Sequence, residues 1–475
     1  MRLTPVVLAL ALAGPAFAGD DVTALKAELQ RLAARLEVLE KHSQEMEKAL
    51  ASDRVSETEP EIATRLKAIE FQTLSMQKQA RQIESLEGIT VGASLTGVVQ
   101  SAGAGATASG ERERRANYRG DLSVTLPGGA MGDTEGSIFA HLRFGQGEGV
   151  GLRPTYASTP NTTAFQVGSV AAEDSFGILA QAWYQLKVPL LDGGSKANAR
   201  EHLKFTFGKI DPFVFFDQNA AADDESTKFM NNVFVHNPLL DSGGDVGADA
   251  HGFAPGAVLQ YTNERDKGAG WGLSAGVFGT SGTRTANSAN FAGNLRSPLV
   301  ILQAQKAAHL NYLPGNYRAY LWRHAGAAGY DNTERPHTGI GVSADQKVTD
   351  ELTLFGRYGH QLKGKVRFDR AITLGAELNG AQWSRAADSI GFAAGALRTS
   401  RSFRIDSPVI DADNNGVADF GYRASGAETQ FELYYRYRLN SRFELTPDLQ
   451  RIRRPGADST ARAITVVGVR AKVGF

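Results

Sequence analysis

The sequence predicts an all-β protein: a transmembrane barrel of about sixteen antiparallel strands, preceded by a coiled-coil helix. Three observations carry the prediction: an alternating last strand, an export signal at the other end, and the absence of both cysteine and long apolar runs. In Ala463–Phe475 the residues Thr465, Val467, Val469, Ala471, Val473 and Phe475 fall on one face. Val466, Gly468, Arg470, Lys472 and Gly474 fall on the other. Strand side chains alternate between two sides, so one face is oily and the other charged. A strand between lipid and a wet lumen needs that division. Alone, the segment equally suits a half-buried strand of a soluble domain.

The N-terminus decides between them. Met1-Arg2, an apolar run from Leu3 to Ala13 and the motif Ala16-Phe17-Ala18 have the form of a secretory signal, so residues 1–18 are expected to be a signal peptide. No stretch approaches the ~20 apolar residues of a spanning helix. An exported chain without cysteine draws its stability from burial or from barrel closure. Only helices and closed barrels satisfy their backbone in lipid, so insertion in an outer membrane would have to be as β-strands. The chain has 52 glycines and zero formal net charge, and zero charge argues against a nucleic-acid or polyanion partner.

Residues 19–87 read as a coiled-coil segment, expected in the periplasm. Leu25, Leu29, Leu32, Leu36 and Leu39 form an a/d seam. The run Ala51–Pro60 interrupts it, and Ile62, Leu66, Ile69, Met76 and Ile83 resume it. The narrow stripe favours self-association, a homotrimer being natural for a channel, over an intramolecular hairpin. Leucine at both seam positions leaves the strand number open.

From residue 88 to 475 the period changes to two. Candidate strands centre on Thr90–Gln100, Tyr118–Leu126, Ser137–Phe144, Gln181–Leu190, His202–Lys209, Ala257–Thr262, Trp271–Gly279 and Leu299–Lys306. They continue with Tyr317–His324, Thr338–Gln346, Glu351–His360, Ala371–Asn379, Ser389–Ala396, Gln430–Leu439, Arg442–Gln450 and Ile464–Phe475. Some connections are short, such as Asn440-Ser441; others are long, notably Asp211–Gly256 and Leu397–Glu428. That asymmetry belongs to an outer-membrane barrel. Even, short connections would belong to a β-sandwich.

Setting the apolar face towards lipid leaves a list of lumen residues: Arg119, Asp121, His141, Arg143, Lys204, Arg357, Glu432, Tyr434, Arg436, Arg438, Asp448 and Arg470. A charge on the lipid face would cost about 2–4 kcal/mol near the midplane, so the clustering is a physical demand before it is a selectivity device. Charged groups that hydrogen-bond hydroxyls, set among aromatic rings, suit polar solutes that are neutral or mildly anionic.

The connection Asp211–Gly256 is too long for an idle loop. Phe213, Phe215, Phe216, Phe229 and Phe234 would anchor it inside the lumen, where it would set the constriction. Asp211, Asp217, Asn219, Asp224, Glu225, Asn231, Asn232, His236, Asn237 and Asp241 are its polar candidates for the solute path, with Asx turns as the competing role.

Two stretches carry a family resemblance. Phe207–Gly256 includes Gly-Lys-Ile-Asp-Pro-Phe-Val-Phe-Phe-Asp-Gln-Asn and Asn-Asn-Val-Phe-Val-His-Asn-Pro-Leu-Leu-Asp. Phe431–Pro455 includes Glu-Leu-Tyr-Tyr-Arg-Tyr and Leu-Thr-Pro-Asp-Leu-Gln-Arg-Ile-Arg-Arg-Pro. Both resemble the carbohydrate-selective porin family of Gram-negative outer membranes. The resemblance implies sixteen strands, loops folded inward and diffusion of sugars or, in some members, other small polar solutes. The coiled segment departs from the family pattern.

Asp411, Asp413, Asn415 and Asp419, with Gly416 at the turn, match a calcium loop, although Tyr422 stands where its last glutamate belongs. Calcium in an outer loop is therefore a candidate ligand, and no cofactor is required. Gly272–Gly276 and Gly359–Lys365 match a nucleophile elbow and a phosphate loop by letter only, and no reaction is expected. The expected function is a passive porin for carbohydrates and similar solutes, with lipid bilayer and lipopolysaccharide as its surroundings. The alternatives are an anion or small-carboxylate channel, or a structural tether in which the coiled segment contacts the cell wall.

Overall fold

The alternation resolves, in a computed structural model, into sixteen antiparallel strands closed in sequence order, with the first paired to the last. The structure describes residues 88–475 apart from 157–158, 166–174, 191–198, 242–245, 247, 249–250, 267 and 281–293, together with Lys41. The expected signal peptide and coiled segment lie outside the described residues. The chain divides into two units, Met1–Glu87 and Gly88–Phe475, and the second is the barrel.

The strands are β1 (Thr90–Ala102), β2 (Glu113–Met131), β3 (Thr134–Gln146), β4 (Phe176–Pro189), β5 (Glu201–Ile210), β6 (Ala254–Asn263), β7 (Trp271–Thr280) and β8 (Asn294–Leu310). They continue as β9 (Leu313–Ala328), β10 (Glu334–Lys347), β11 (Leu352–Lys363), β12 (Phe368–Gly380), β13 (Arg385–Thr399), β14 (Ala427–Arg438), β15 (Phe443–Arg453) and β16 (Ile464–Gly474). Each expected segment lies on one strand, with ends that differ by a residue at Leu190, Glu351, Leu439, Arg442 and Phe475. Most strands run further than their apolar stretch, because ladder hydrogen bonding continues beyond the lipid band. The barrel closes in a register that sets Leu95 opposite Val473 and Val99 opposite Val469. Closure leaves no edge with unpaired backbone groups.

Odd-to-even connections and even-to-odd connections sit at opposite ends. Gly132-Asp133 and Asn311-Tyr312 make two of the tight turns at one end. Both Asn311 and Tyr312 have positive φ (51° and 67°), the two-residue hairpin turn that matches strand twist. The other end carries 147–175, 211–253 and 400–426. Among the described residues no helix is long and apolar enough to cross a membrane; the crossing elements are strands.

Val99, Leu142, Phe205, Leu259, Leu302, Leu354, Leu374, Leu433 and Val467 stand exposed on the outer wall, as the lipid face requires. Inside, the wall is not uniformly polar. Phe278, Leu299, Ile301, Tyr320, Trp322, Phe355, Phe368 and Leu397 point inward and are buried. They pack against Phe213, Phe215, Phe216, Phe229, Phe234, Leu239 and Leu240 of the connection after β5. The run Leu299-Val300-Ile301-Leu302 is apolar on both faces for this reason: lipid covers one and the loop covers the other. The expected aromatic anchors all take part.

Candidate functional site

The lumen is shaped by how the 211–241 segment is fixed. Its Asp217 is fully buried and adopts φ 56°, a left-handed conformation that Asp tolerates better than most residues. One Asp217 carboxylate oxygen accepts from Tyr320 Oη (2.7 Å) and the other from the Asn237 backbone N–H (2.6 Å). Its own N–H donates to Gln303 Oε1 (2.9 Å). Arg357 lies 3.1 Å from the carboxylate and donates to the carbonyls of Phe234 (2.8 Å) and Ala222 (2.6 Å). Asn219 donates to Ser343 Oγ and Ala344 O. Further along, Glu432 accepts from the N–H groups of Met230 (2.5 Å) and Asn231 (3.0 Å). Arg470 donates to the carbonyls of Glu225 and Lys228 (2.8 Å each). A loop without its own ladder thus satisfies its backbone on side chains of the wall, which buried polar groups demand.

This corrects part of the sequence reading. Asp217, Asn219 and Asn237 of the loop, and Arg357, Glu432, Tyr434, Asp448 and Arg470 of the wall, all expected on the solute path, are buried. Asn231 is buried too, its side chain bonded to Gln450 (3.0 Å). The physical reason is that an inward face is not a free face once a loop lies on it. Asx turns also occupy several of these side chains. Asp211, Asn219, Asp224, Asn231 and Asn237 each accept from the N–H two residues on.

Of the remaining candidates, Arg119, Asp121, His141 and Arg143 gather on β2 and β3. Asp121 receives Arg119 (2.9 Å), Arg143 (2.8 Å) and His141 (2.9 Å), and Arg119 also reaches Glu225 of the loop (2.7 Å). Arg143 sits 5.2 Å from the centre of the Phe253 ring. Phe139 stacks on Trp183 at 4.7 Å. His236 stacks on Phe213 at 3.6 Å and bonds Asp241 at 3.1 Å. Lys204 points inward at a cross-strand position beside Gln260. Arg436 lies 3.6 Å from Glu377, and Arg438 lies 3.4 Å from Glu444.

Two cavities meet at the loop. The upper, about 890 Å³, is lined by Arg119, Arg143, Asp211, Glu225, His236, Asp241 and Phe253, and by residues of the 148–165 connection. The lower, about 530 Å³, is lined by Asn263, Trp271, Gln305, Asn316 and Arg318. Gln218 borders both. Sequence reading missed Gln218: it lies between two residues that bond the wall, Asp217 and Asn219, and its own amide donates to the Val214 carbonyl, contacts that only the fold brings about. The 148–165 connection was missed as well. It clasps the loop through Thr162 N–H to Met230 O (2.9 Å) and Asn232 N–H to Thr159 O (3.1 Å).

Loop groups are tuned by these contacts. Burial opposes ionisation of Asp224, but the Lys472 charge and the Ser226 and Thr227 hydroxyls outweigh it and hold the carboxyl at about 2. Burial disfavours protonated His236, yet the hydrogen bond and charge of Asp241 prevail and raise its pKa. Burial raises Asp211.

At the exposed turn, the carboxylates of Asp411, Asp413 and Asp419 lie within 4.8 Å of one another. Asp411 accepts from the N–H groups of Gly416 (2.8 Å) and Asn415 (3.0 Å), and Asp419 accepts from Ala412 (2.9 Å). The Asn415 side chain bonds Asp413. The turn's own N–H groups thus bond two of the three carboxylates.

A closed sixteen-stranded barrel with an apolar outer wall, a polar lumen and an inward loop defines an outer-membrane porin. Over residues 59–475 the sequence matches the carbohydrate-selective porin, OprB family, and the chain belongs to that family. Among solved structures, the high-pH structure of Pseudomonas putida OprB gives a TM-score of 0.65 at 18% identity, covering 83% of this chain and 96% of that one. The low-pH structure of the same porin gives 0.48 at 17% identity over 84% and 96%. A mutant of the Rh. blastica porin gives 0.44 at 12% over 82% and 100%. At such identities the likeness is one of fold. No curated protein sequence matches the chain.

Proposed function

We propose that the chain is a passive channel for carbohydrates and similar small, uncharged polar solutes. The observation that carries this reading is charge pairing inside the lumen. The anion-channel alternative rests on an excess of inward basic residues. Yet Arg119, Arg143, Arg318, Arg436 and Arg438 each face a carboxylate within 4 Å. A lining of paired charges offers donors and acceptors to hydroxyls while presenting little net field to an ion. The Phe139–Trp183 stack adds aromatic surface of the kind sugar rings pack against. Gln218, neutral, amide-bearing and bordering both cavities, forms the constriction in this reading.

Liposome swelling tests the reading. Glucose and maltose are expected to enter faster than a dicarboxylate of similar size. Replacing Gln218 with Trp should slow maltose far more than glucose, whereas equal slowing, or none, would remove Gln218 from the constriction. In the same reading residues 19–87 associate as a trimer. Truncating them is expected to leave swelling intact while reducing the assembly to monomers in light scattering, and a trimer that survives truncation would oppose it.

A further inference from the structure

The outer wall carries a feature that transport does not use. At the long-loop end, the outward positions just beyond Tyr358, Ile372 and Ala396 are His360 on β11, Arg370 on β12 and Arg398 on β13. The register sets His360 opposite Arg370 and Arg370 opposite Arg398, so the three form one row across three strands. Directly opposed side chains come within about 5 Å at Cβ, and like charges there repel. Both arginines are exposed, and among the described residues neither has a carboxylate partner. The acids on adjoining connections are engaged elsewhere. Asp331 bonds Arg335 (2.9 Å) and Lys365 (3.3 Å), and Asp406 bonds Lys365 (3.2 Å). Arg451 and Arg453 are exposed at outward positions of β15 towards the same end. Opposed, unpaired arginines at a lipid boundary are a standing cost that a bound anion removes.

We propose that His360, Arg370 and Arg398 form a seat for the phosphate groups of lipopolysaccharide, the phosphorylated glycolipid of the outer leaflet. The location decides the class of ligand. On β12 and β13 the two arginines stand one position above the apolar band, and on β11 Leu362 lies beyond His360, so the row sits where acyl chains give way to phosphorylated sugars. A guanidinium matches a phosphate through two parallel hydrogen bonds, and two guanidiniums on neighbouring strands bracket one such group from both sides. The His360 imidazole offers a further donor. The inference depends on the outer-membrane setting and is independent of which solute passes through the lumen.

Full-length protein, stripped of lipid in a non-ionic detergent, is titrated with lipid A, and native mass spectra record occupancy. The double variant Arg370→Ala/Arg398→Ala is expected to bind about 30-fold more weakly, the loss appropriate to two basic side chains at an anionic surface. Arg370→Lys/Arg398→Lys should retain most of the affinity, and both variants should conduct like the wild type. Lipid A freed of its phosphates is expected to bind the wild type as poorly as intact lipid A binds the alanine variant. Equal affinity of wild type and alanine variant overturns the proposal. So does equal affinity for dephosphorylated lipid A, a measurement that needs no variant to fold. Cardiolipin or inorganic phosphate binding as tightly as lipid A would overturn the assignment to the glycolipid.

Discussion

Asp217 and Arg357 are the residues on which the loop's position depends most. Both are buried at 3.1 Å from one another. Removing one partner of a buried pair leaves an uncompensated charge, at a cost of about 3–5 kcal/mol. Asp217→Ala is expected to keep the barrel folded but free the loop, raising single-channel conductance and lowering the temperature at which tertiary structure is lost. Unchanged conductance would mean that the apolar anchors alone hold the loop. His236 gives a pH test. Its pKa is raised in the folded protein by Asp241, so its stabilising contribution is complete below the ordinary histidine value and disappears as pH rises through the folded one. His236→Gln should therefore lower the melting temperature at pH 5.5 and have little effect at pH 8; the reverse order would contradict the assignment. Asp224 behaves oppositely. Held at about 2, its contribution is present above the ordinary value of 3.8 and is lost only as pH falls towards about 2.

At the scale of elements, every strand was legible because lipid outside and water inside impose a strict period of two. Where that period fails, the fold supplies the reason. Leu299–Leu302 is apolar on both faces because the loop covers its inner one. Loop geometry was half legible. Aromatic anchors such as Phe216 and Phe234 identified the packing, but nothing in a single sequence shows which polar side chains the packing then covers. Arg357 and Glu432 look like lumen residues by alternation and become wall-to-loop fasteners in the fold. Glycines record the close approach. A Cβ at Gly359 would come 2.5 Å from Asn237 Oδ1, and one at Gly276 would come 2.7 Å from the Phe216 ring. Gly359→Leu is expected to displace the loop, increasing conductance and making 217–241 accessible to protease, while the barrel persists. Resistance to protease equal to the wild type would show that the loop has room the structure does not provide.

The whole molecule is a porin whose lumen is narrowed by one loop, itself held by the wall on one side and by the 148–165 connection on the other. The family was readable from Phe207–Gly256 and Phe431–Pro455 because these stretches encode the loop and the wall that binds it. Charge pairing was not readable. It depends on residues brought together from wall and loop, as Arg119 with Glu225, or across strands, as Arg318 with Asp345. Pairing is also what separates a sugar channel from an anion channel, so the central claim is that neutral solutes interact with the lumen. Planar-bilayer conductance of the purified protein, with glucose, maltose and a dicarboxylate titrated in turn, tests it most directly. Saturable block by the sugars and weak, non-saturating effects of the dicarboxylate are expected. Block by the dicarboxylate alone would contradict it and make the pore an anion channel.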